Sequence, residues 1–218
     1  MSRLNLPHQK DGPVFDLVYC LVATAKVPLH NPDGSVTERK FELTHIVIIN
    51  GPGGVGKTTI SASLARMLPG TINISGDVIR WFAPPDVSQY LGHGSTYRAG
   101  ASLATAYLGM GAPRVIFDYV FDDVEKISRF CQWLPADTRV HLFTIWAPIE
   151  TVIEREATRD GREPLGDRTL DTYRAVERNL RSLGCTVQNT TSPDAAAAAI
   201  CVKIAETEGK PAARLVRS

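Results

Sequence analysis

Residues 45–59, which read HIVIINGPGGVGKTT, constrain the fold more than any other part of the chain. The β-branched run at 46–49 is typical of a buried strand, and it ends at Asn50. Residues 51–58 then fit the pattern G-x-x-x-x-G-K-[ST] at every fixed position, and apolar residues recur with a helical period as far as Leu68. A strand, a glycine-rich loop and a helix in this order are typical of an α/β protein with a parallel sheet.

This glycine-rich pattern, called a P-loop, predicts a binding site for the phosphates of a nucleotide. Glycines allow successive backbone N–H groups to surround an anion, and the helix that follows points its positive end at the same anion. We expect Lys57 to reach the β- and γ-phosphates and the Thr58 hydroxyl to bind Mg²⁺. ATP and Mg²⁺ are therefore the predicted cofactors. The predicted nucleotide-binding residues are Gly51, Gly53, Gly54, Val55, Gly56, Lys57, Thr58 and Thr59.

Composition and charge narrow the class of protein. A chain of 218 residues with 44% hydrophobic residues fits one globular domain with small appendages, and a net charge of +1 gives no general attraction to nucleic acid. Its four cysteines lie far apart without metal-type spacing, so we expect reduced thiols in a cytoplasmic protein. No apolar run approaches the roughly 20 residues of a membrane helix. The leader-like stretch at 14–22 contains Asp16, so we expect no cleaved export signal.

The order of apolar segments predicts a five-stranded parallel sheet with helices on both faces. The predicted core strands are 45–50, 71–74, 114–119, 139–146 and 185–189. Residues 1–44 form an N-terminal extension in which 14–43 is predicted to be a β-hairpin, because 31–34 read Asn-Pro-Asp-Gly. The main domain is expected at 45–207 and a basic flexible tail at 208–218, and residues 83–95 read as a loop.

Two aspartates follow predicted strands and are therefore candidates for the site. Ligands of α/β sheets bind outside the carboxyl ends of the strands, where Asp77 and Asp118 are expected. Arg80 lies three residues after Asp77 and would share its helix face. Asp77 is also a good candidate for a helix N-cap, and the two interpretations stay open. Asp118 would bind Mg²⁺ or the acceptor.

Further candidates come from two other segments. Tyr97 and Arg98 lie at the start of a predicted helix and could contact substrate, although each is also an ordinary packing or surface residue. Residues 155–168 are rich in cations and have glycine and proline at their turn, as a lid over a nucleotide would. Arg155, Arg159 and Arg162 would bring positive charge to the γ-phosphate. The alternative is a solvated corner between two helices.

These motifs together resemble the small P-loop kinases that include chloramphenicol phosphotransferase and the 5′-kinase domain of polynucleotide kinases, over about residues 45–205. The resemblance implies a kinase-like P-loop NTPase fold with strand order 2-3-1-4-5, in which Asp77 is the general base on an acceptor hydroxyl. Asp77-x-x-Arg80 is similar to the polynucleotide kinases, where the arginine contacts the acceptor phosphate. Asp118-x-Val120-Phe121 is more similar to the chloramphenicol enzyme. The hairpin has no counterpart in either, and residues 83–100 match neither convincingly.

The resulting hypothesis is an ATP-dependent kinase that transfers the γ-phosphate to a hydroxyl of a small molecule such as an antibiotic, nucleoside or sugar. A polynucleotide 5′-hydroxyl kinase is the first alternative, and the near-neutral charge disfavours it. A nucleotide-gated binding module, with the hairpin as partner surface, is the second. A toxin kinase acting on a sugar nucleotide is the third. The sequence does not indicate the oligomeric state.

Overall fold

A computed structural model describes residues 18–19, 28–30, 36–38, 44–88, 91, 94–136, 138–158 and 166–208 of the chain. Eight strands and eight helices lie in these ranges. The strands are β1 (Val18–Tyr19), β2 (Pro28–His30), β3 (Val36–Glu38), β4 (His45–Asn50), β5 (Thr71–Ser75), β6 (Arg114–Asp118), β7 (Arg139–Trp146) and β8 (Cys185–Gln188). The helices are α1 (Lys57–Met67), α2 (Gly76–Trp81), α3 (Pro85–Ser88), α4 (Ser95–Gly109), α5 (Val124–Cys131), α6 (Ile149–Ala157), α7 (Asp167–Asn179) and α8 (Pro193–Glu208).

The predicted parallel sheet is confirmed. Its strands lie in the order β5-β6-β4-β7-β8, so the strand that precedes the P-loop occupies the centre. Numbered by their order in the core, the strands follow the expected 2-3-1-4-5 arrangement. A parallel sheet with this connectivity brings the carboxyl ends of β4, β5 and β6 to one edge, where the loops that follow them meet.

Side chains along the central strand β4 point alternately to the two faces of the sheet, and each face is covered by a layer of helices. Val47 and Ile49 face a core shared with α1 and α8, whereas Ile46 and Ile48 face a core shared with α4 and α5. All four side chains are fully buried. A strand covered on both faces must be apolar throughout, which is why 46–49 reads as an unbroken aliphatic run.

The N-terminal extension differs in part from the prediction. The structure pairs β2 with β3 antiparallel, as the predicted hairpin requires, and the Asn-Pro-Asp-Gly segment between these strands lies outside the described residues. Strand β1, however, does not belong to this hairpin. It pairs antiparallel with β7, at Val18↔His141 and Tyr19↔Val140, and so extends the main sheet. The predicted basic tail at 208–218 lies outside the described residues except for its first residue, which ends α8.

Smaller features of the described chain also bear on the predictions from the sequence. The segment at 83–95 was predicted to be a loop, but it contains the four-residue helix α3. Helix α7 begins at Asp167, within the predicted lid, and ends in a 3-10 turn at Leu180–Ser182. Cys131, Cys185 and Cys201 are free thiols, and Cys20 lies outside the described residues. No helix in the described part of the chain is long and apolar enough to cross a bilayer.

Candidate active site

The P-loop is a tight turn built between β4 and α1. Gly51 has a φ of +141°, and a Cβ built there would lie 2.5 Å from the Ile145 carbonyl oxygen, so only glycine fits. Helix α1 begins at Lys57, whose side chain is buried and donates a hydrogen bond to the Pro52 carbonyl oxygen (2.9 Å). The Lys57 side chain is therefore held against the backbone of the P-loop, next to the N-terminus of α1.

A buried carboxylate lies beneath the start of α1. Asp118, at the end of β6, is 1% exposed and accepts hydrogen bonds from three hydroxyls, those of Thr58 (3.3 Å), Ser61 (3.0 Å) and Ser75 (3.4 Å). Burial raises the pKa of Asp118 above its ordinary value, and the nearby Lys57 ammonium and the Ser61 and Thr58 hydroxyls act against that rise. A carboxylate oxygen next to a threonine hydroxyl is a donor set that suits Mg²⁺.

Asn189, which follows β8, braces the P-loop from the side. Its side-chain amide donates a hydrogen bond to the Val55 carbonyl oxygen (2.8 Å), and its backbone N–H donates to the Trp146 carbonyl oxygen (2.8 Å). The backbone carbonyl oxygen of Asn189 accepts a hydrogen bond from the Arg155 guanidinium (3.1 Å). One buried residue thus joins the loop, the end of β7 and an arginine of α6.

A second asparagine ties together the strands that carry the site. The Asn50 amide nitrogen donates to the Thr144 hydroxyl (3.0 Å), and its oxygen accepts from the Phe121 backbone N–H (2.7 Å). Asn50 is fully buried, so both contacts are shielded from water. These hydrogen bonds fix the ends of β4 and β7 and the loop after β6 relative to one another.

The P-loop opens into a cleft of about 920 Å³. We call one wall the P-loop side. It consists of Gly53, Gly54, Gly56, Lys57, Thr58, Thr59, Arg155, Arg168 and Thr172. We call the other wall the α2 side. It consists of Asp77, Val78, Arg80, Trp81, Tyr97, Tyr119, Val120, Asp122 and Lys126, and Ser75 lies where the two walls meet. The P-loop side has glycines, hydroxyls and cations, whereas the α2 side carries the aromatic and aliphatic surfaces.

Helix α2 starts immediately after β5 and directs its side chains into the cleft. Its N-cap is Ser75, so Asp77 is the second residue of the helix and not its cap. Asp77, Arg80 and Trp81 follow an i, i+3, i+4 spacing, which places them on one helix face. Gly76 lets α2 approach the Tyr119 ring, because a Cβ there would lie 2.4 Å from Tyr119 Cδ2. The Asp77 carboxylate therefore faces the same cleft as the P-loop.

The remaining predicted residues divide into those inside and those outside the cleft. Tyr97 lines it and donates a hydrogen bond to the Val120 carbonyl oxygen (2.9 Å), and burial raises the pKa of its hydroxyl. Arg98 does not line it: its guanidinium lies 4.4 Å from the centre of the Trp133 ring. Arg155 faces the cleft from α6. Arg159 and Arg162 lie outside the described residues.

Comparison with known protein families identifies the class of domain. The family model described as AAA domain matches residues 46–180, which is more than half of the chain. The chain belongs to this family. No curated protein sequence matches it.

Solved structures show the same fold as this AAA-domain protein. One is the tunicamycin resistance protein of Deinococcus radiodurans, with 24% identity and a TM-score of 0.57 over 79% of this chain and 99% of that one. A sugar kinase from Janibacter has 18% identity and a TM-score of 0.57 over 76% and 96%. Shikimate kinase from Acinetobacter baumannii, solved with shikimate, has 19% identity and a TM-score of 0.55 over 78% and 98%. The predicted kinase-like P-loop fold is confirmed.

Several residues of the site in this AAA-domain protein were not singled out from the sequence. Ser61 and Ser75 bind Asp118, and Asn189 braces the loop. Trp81 and Tyr119 form much of the α2 side. The i+4 spacing from Asp77 to Trp81 was the one available signal. The serines and Asn189 depend on contacts between distant segments, and nothing in their own neighbourhood marks them.

Proposed function

We propose that this protein is an ATP-dependent phosphotransferase that moves the γ-phosphate to a hydroxyl of a small molecule. The observation that carries the proposal is the placement of Asp77 on α2 in the same cleft as Lys57 and Thr58 of the P-loop. In the described part of the chain, no hydrogen bond or ion pair engages the Asp77 carboxylate. It is thus available to a ligand.

Asp77 is proposed to act on the acceptor. It would orient the hydroxyl and accept its proton while the hydroxyl oxygen bonds to the γ-phosphorus and the bond to the bridging oxygen breaks, which releases ADP. A loose transition state leaves this proton transfer late, so positioning matters more than basicity. Arg80 lies one turn along the same face and would contact a polar group of the acceptor.

The P-loop side is proposed to hold the nucleotide. Backbone N–H groups between Gly53 and Thr59 would surround the phosphates, and Lys57 would neutralise their charge. Mg²⁺ held by Thr58 and Asp118 would withdraw charge from the phosphate oxygens. Arg155 and Arg168 line the cleft from α6 and α7 and would face the transferred group, together with the predicted Arg159 and Arg162.

Charge balance supports a small molecule over a polynucleotide as the acceptor. The α2 side has two carboxylates, Asp77 and Asp122, and two cations, Arg80 and Lys126. Lys126 is already paired with Asp122. A surface that recognises a nucleic-acid backbone needs an excess of cations, because each phosphate contact releases counterions only when a basic group replaces them. Antibiotics, nucleosides and sugars are the acceptor classes that we propose.

The test is transfer of labelled γ-phosphate from ATP to a panel of hydroxylated antibiotics, nucleosides, sugars and one 5′-hydroxyl oligonucleotide. Asp77→Asn should abolish turnover and keep nucleotide binding, whereas Lys57→Ala should lose both. Arg80→Ala should weaken acceptor binding, and Arg98→Ala is its matched control, because Arg98 does not line the cleft. Unchanged turnover in Asp77→Asn would remove Asp77 from the mechanism. ATP binding without transfer to any acceptor would favour a nucleotide-gated binding module.

A further inference from the structure

The α2 side of the cleft carries an indole that the proposed chemistry does not use. Trp81 lines the cleft and is 72% exposed. In the described part of the chain, it has no hydrogen bond and no ring contact. A large aromatic side chain left open in a concave site is typical of a surface that binds a ligand.

The position of Trp81 relative to Asp77 sets the geometry of that ligand. The two residues are four apart on α2, so their Cβ atoms are neighbours at about 5–6 Å on one helix face. A molecule that presents a hydroxyl to Asp77 therefore extends over Trp81 within one helical turn. Only a short linker between its hydroxyl and the part that covers the indole would fit.

The α2 side carries two further aromatic rings besides Trp81, those of Tyr97 and Tyr119, and both are held in place. The Tyr97 and Tyr119 rings meet edge to face with centroids 5.5 Å apart, and the Tyr97 hydroxyl is fixed by its hydrogen bond to Val120. Tyr119 in turn packs on Gly76. Together with Trp81, these rings give the α2 side an aromatic surface, which favours a flat ligand, since the two fixed tyrosines lose little side-chain freedom on binding.

The balance of charges on the α2 side bears on whether the ligand is charged. The two carboxylates and two cations of the α2 side balance, and Lys126 is bound to Asp122. The wall therefore offers a charged ring no net attraction, while an uncharged ring gains from stacking and from removal of apolar surface from water.

We propose that the acceptor is an uncharged alcohol whose hydroxyl lies about one helical turn from a flat aromatic ring, and that Trp81 binds this ring by stacking. The hydroxyl part of this inference rests on the proposed function. The ring part rests on Trp81, Tyr97 and Tyr119 alone. It makes Trp81 a specificity-determining residue.

The experiment measures binding directly, by saturation-transfer NMR on the small molecules with a nonhydrolysable ATP analogue and Mg²⁺ present. The probes are matched pairs that differ in the aromatic ring: 2-phenylethanol with 2-cyclohexylethanol, and thymidine with methyl 2-deoxyriboside. Wild-type protein should bind the aromatic member of a pair about tenfold more tightly. Trp81→Leu should remove that preference, and Trp81→Phe should keep most of it.

Phe82 provides a matched control. It is the next residue, is 77% exposed, and does not line the cleft. Phe82→Leu should leave binding of each probe unchanged. An equal loss of binding in Trp81→Leu and Phe82→Leu would overturn the proposal, because Phe82 does not line the cleft. Equal affinity for saturated and aromatic rings, or no binding of any aromatic probe, would overturn it as well.

Failure of the proposed function gives a different pattern. If the aromatic probes bind through Trp81 and no label moves from ATP, the kinase proposal fails and the stacking site stands. If label moves to sugars and Trp81→Leu transfers it as fast as the wild type does, the kinase proposal stands and the stacking site fails. The two outcomes cannot be confused, because the NMR measurement needs no turnover.

Discussion

Most of the P-loop side of the cleft belongs to one short motif, joined by Arg155 of α6 and by Arg168 and Thr172 of α7, whereas the α2 side is made of side chains from several separate segments. Glycines and Lys57 of the first wall lie in one short motif, and their neighbours leave them little freedom. The second wall combines α2, the start of α4, the loop after β6 and the start of α5. Substitutions on the α2 side can change the ligand without disturbing the sheet, while the P-loop side must keep its sequence to keep its shape.

The two walls are expected to respond differently to substitution. Changes on the P-loop side should affect nucleotide binding equally with every acceptor. Changes on the α2 side should alter the choice of acceptor and leave nucleotide affinity as it was. A variant that does both would show that the two walls are coupled.

The largest effect is expected from Gly51→Ala. The new Cβ would lie 2.5 Å from the Ile145 carbonyl oxygen at a φ of +141°. The backbone must move, at a cost of about 3 kcal/mol in the free energy of unfolding and with loss of ATP binding. Urea denaturation would measure the free energy of unfolding, and calorimetric titration would measure ATP binding.

Gly109→Ala is the control for this change. A Cβ at Gly109, in α4, meets nothing within 4 Å. This substitution should be neutral or should stabilise the protein by up to about 1 kcal/mol, because alanine favours helix more than glycine does. If Gly51→Ala behaved in the same way, the tight closure of the P-loop would not matter for binding.

The next effect concerns Asp118 and pH. Asp118→Asn should weaken Mg²⁺-dependent nucleotide binding by about 100-fold. In the wild type, burial raises the pKa of Asp118. Because Mg²⁺ binds the ionised carboxylate, acidification should weaken binding, and the loss should begin at a higher pH than for an ordinary aspartate.

Titrations of Mg²⁺·ATP from pH 7.5 to 5 in both proteins would test this. The asparagine variant reports the protonation of ATP itself, so the difference between the two curves belongs to Asp118. Parallel curves would mean that Asp118 does not bind the metal.

A smaller effect is expected from Asn189→Ala. The change removes a buried hydrogen bond to the Val55 carbonyl oxygen (2.8 Å) and leaves that oxygen without its side-chain donor. We expect nucleotide affinity to fall roughly tenfold, which corresponds to a loss of about 1–2 kcal/mol in binding free energy. The preference among acceptors should not change. Calorimetric titration would measure the nucleotide affinity, and phosphate transfer to the acceptor panel would measure the acceptor preference. A changed acceptor preference would show coupling between the walls.

The smallest effect is expected from Tyr97→Phe on the α2 side. It removes the hydrogen bond to Val120 and keeps the ring. The KM for the acceptor should rise severalfold, consistent with about 1 kcal/mol, and the KM for ATP should stay the same. Steady-state kinetics would show this. A raised KM for ATP would contradict the division of the cleft.

The sequence predicted β4, the P-loop and α1 well because their determinants are local. The apolar run at 46–49 and the glycine spacing describe β4, the loop and α1 with almost no reference to the rest of the chain. The strand order came from the resemblance to P-loop kinases, since periodicity along a chain carries no information about which strands are neighbours. Pairing of β1 with β7 is a non-local contact of that kind, and it was missed.

The α2 side was harder to predict from the sequence, because its residues come together through contacts between distant segments. Tyr97 and Arg98 were predicted together, but adjacent residues on a helix point about 100° apart, and only Tyr97 faces the cleft. Asp77 could equally have been an N-cap until Ser75 was seen to occupy that position. Trp81 was passed over because exposure of a side chain depends on the whole fold.

The brace at Asn189 also has a consequence for biosynthesis. The hydrogen bond from Asn189 to Val55 spans 134 residues. At roughly 5–20 residues per second, the ribosome releases the P-loop about ten seconds before it makes the residue that holds it. A nascent chain that has reached the end of α7 contains the whole nucleotide motif but lacks β8, Asn189 and α8. The nucleotide site of this protein is thus among the last parts to be completed during translation.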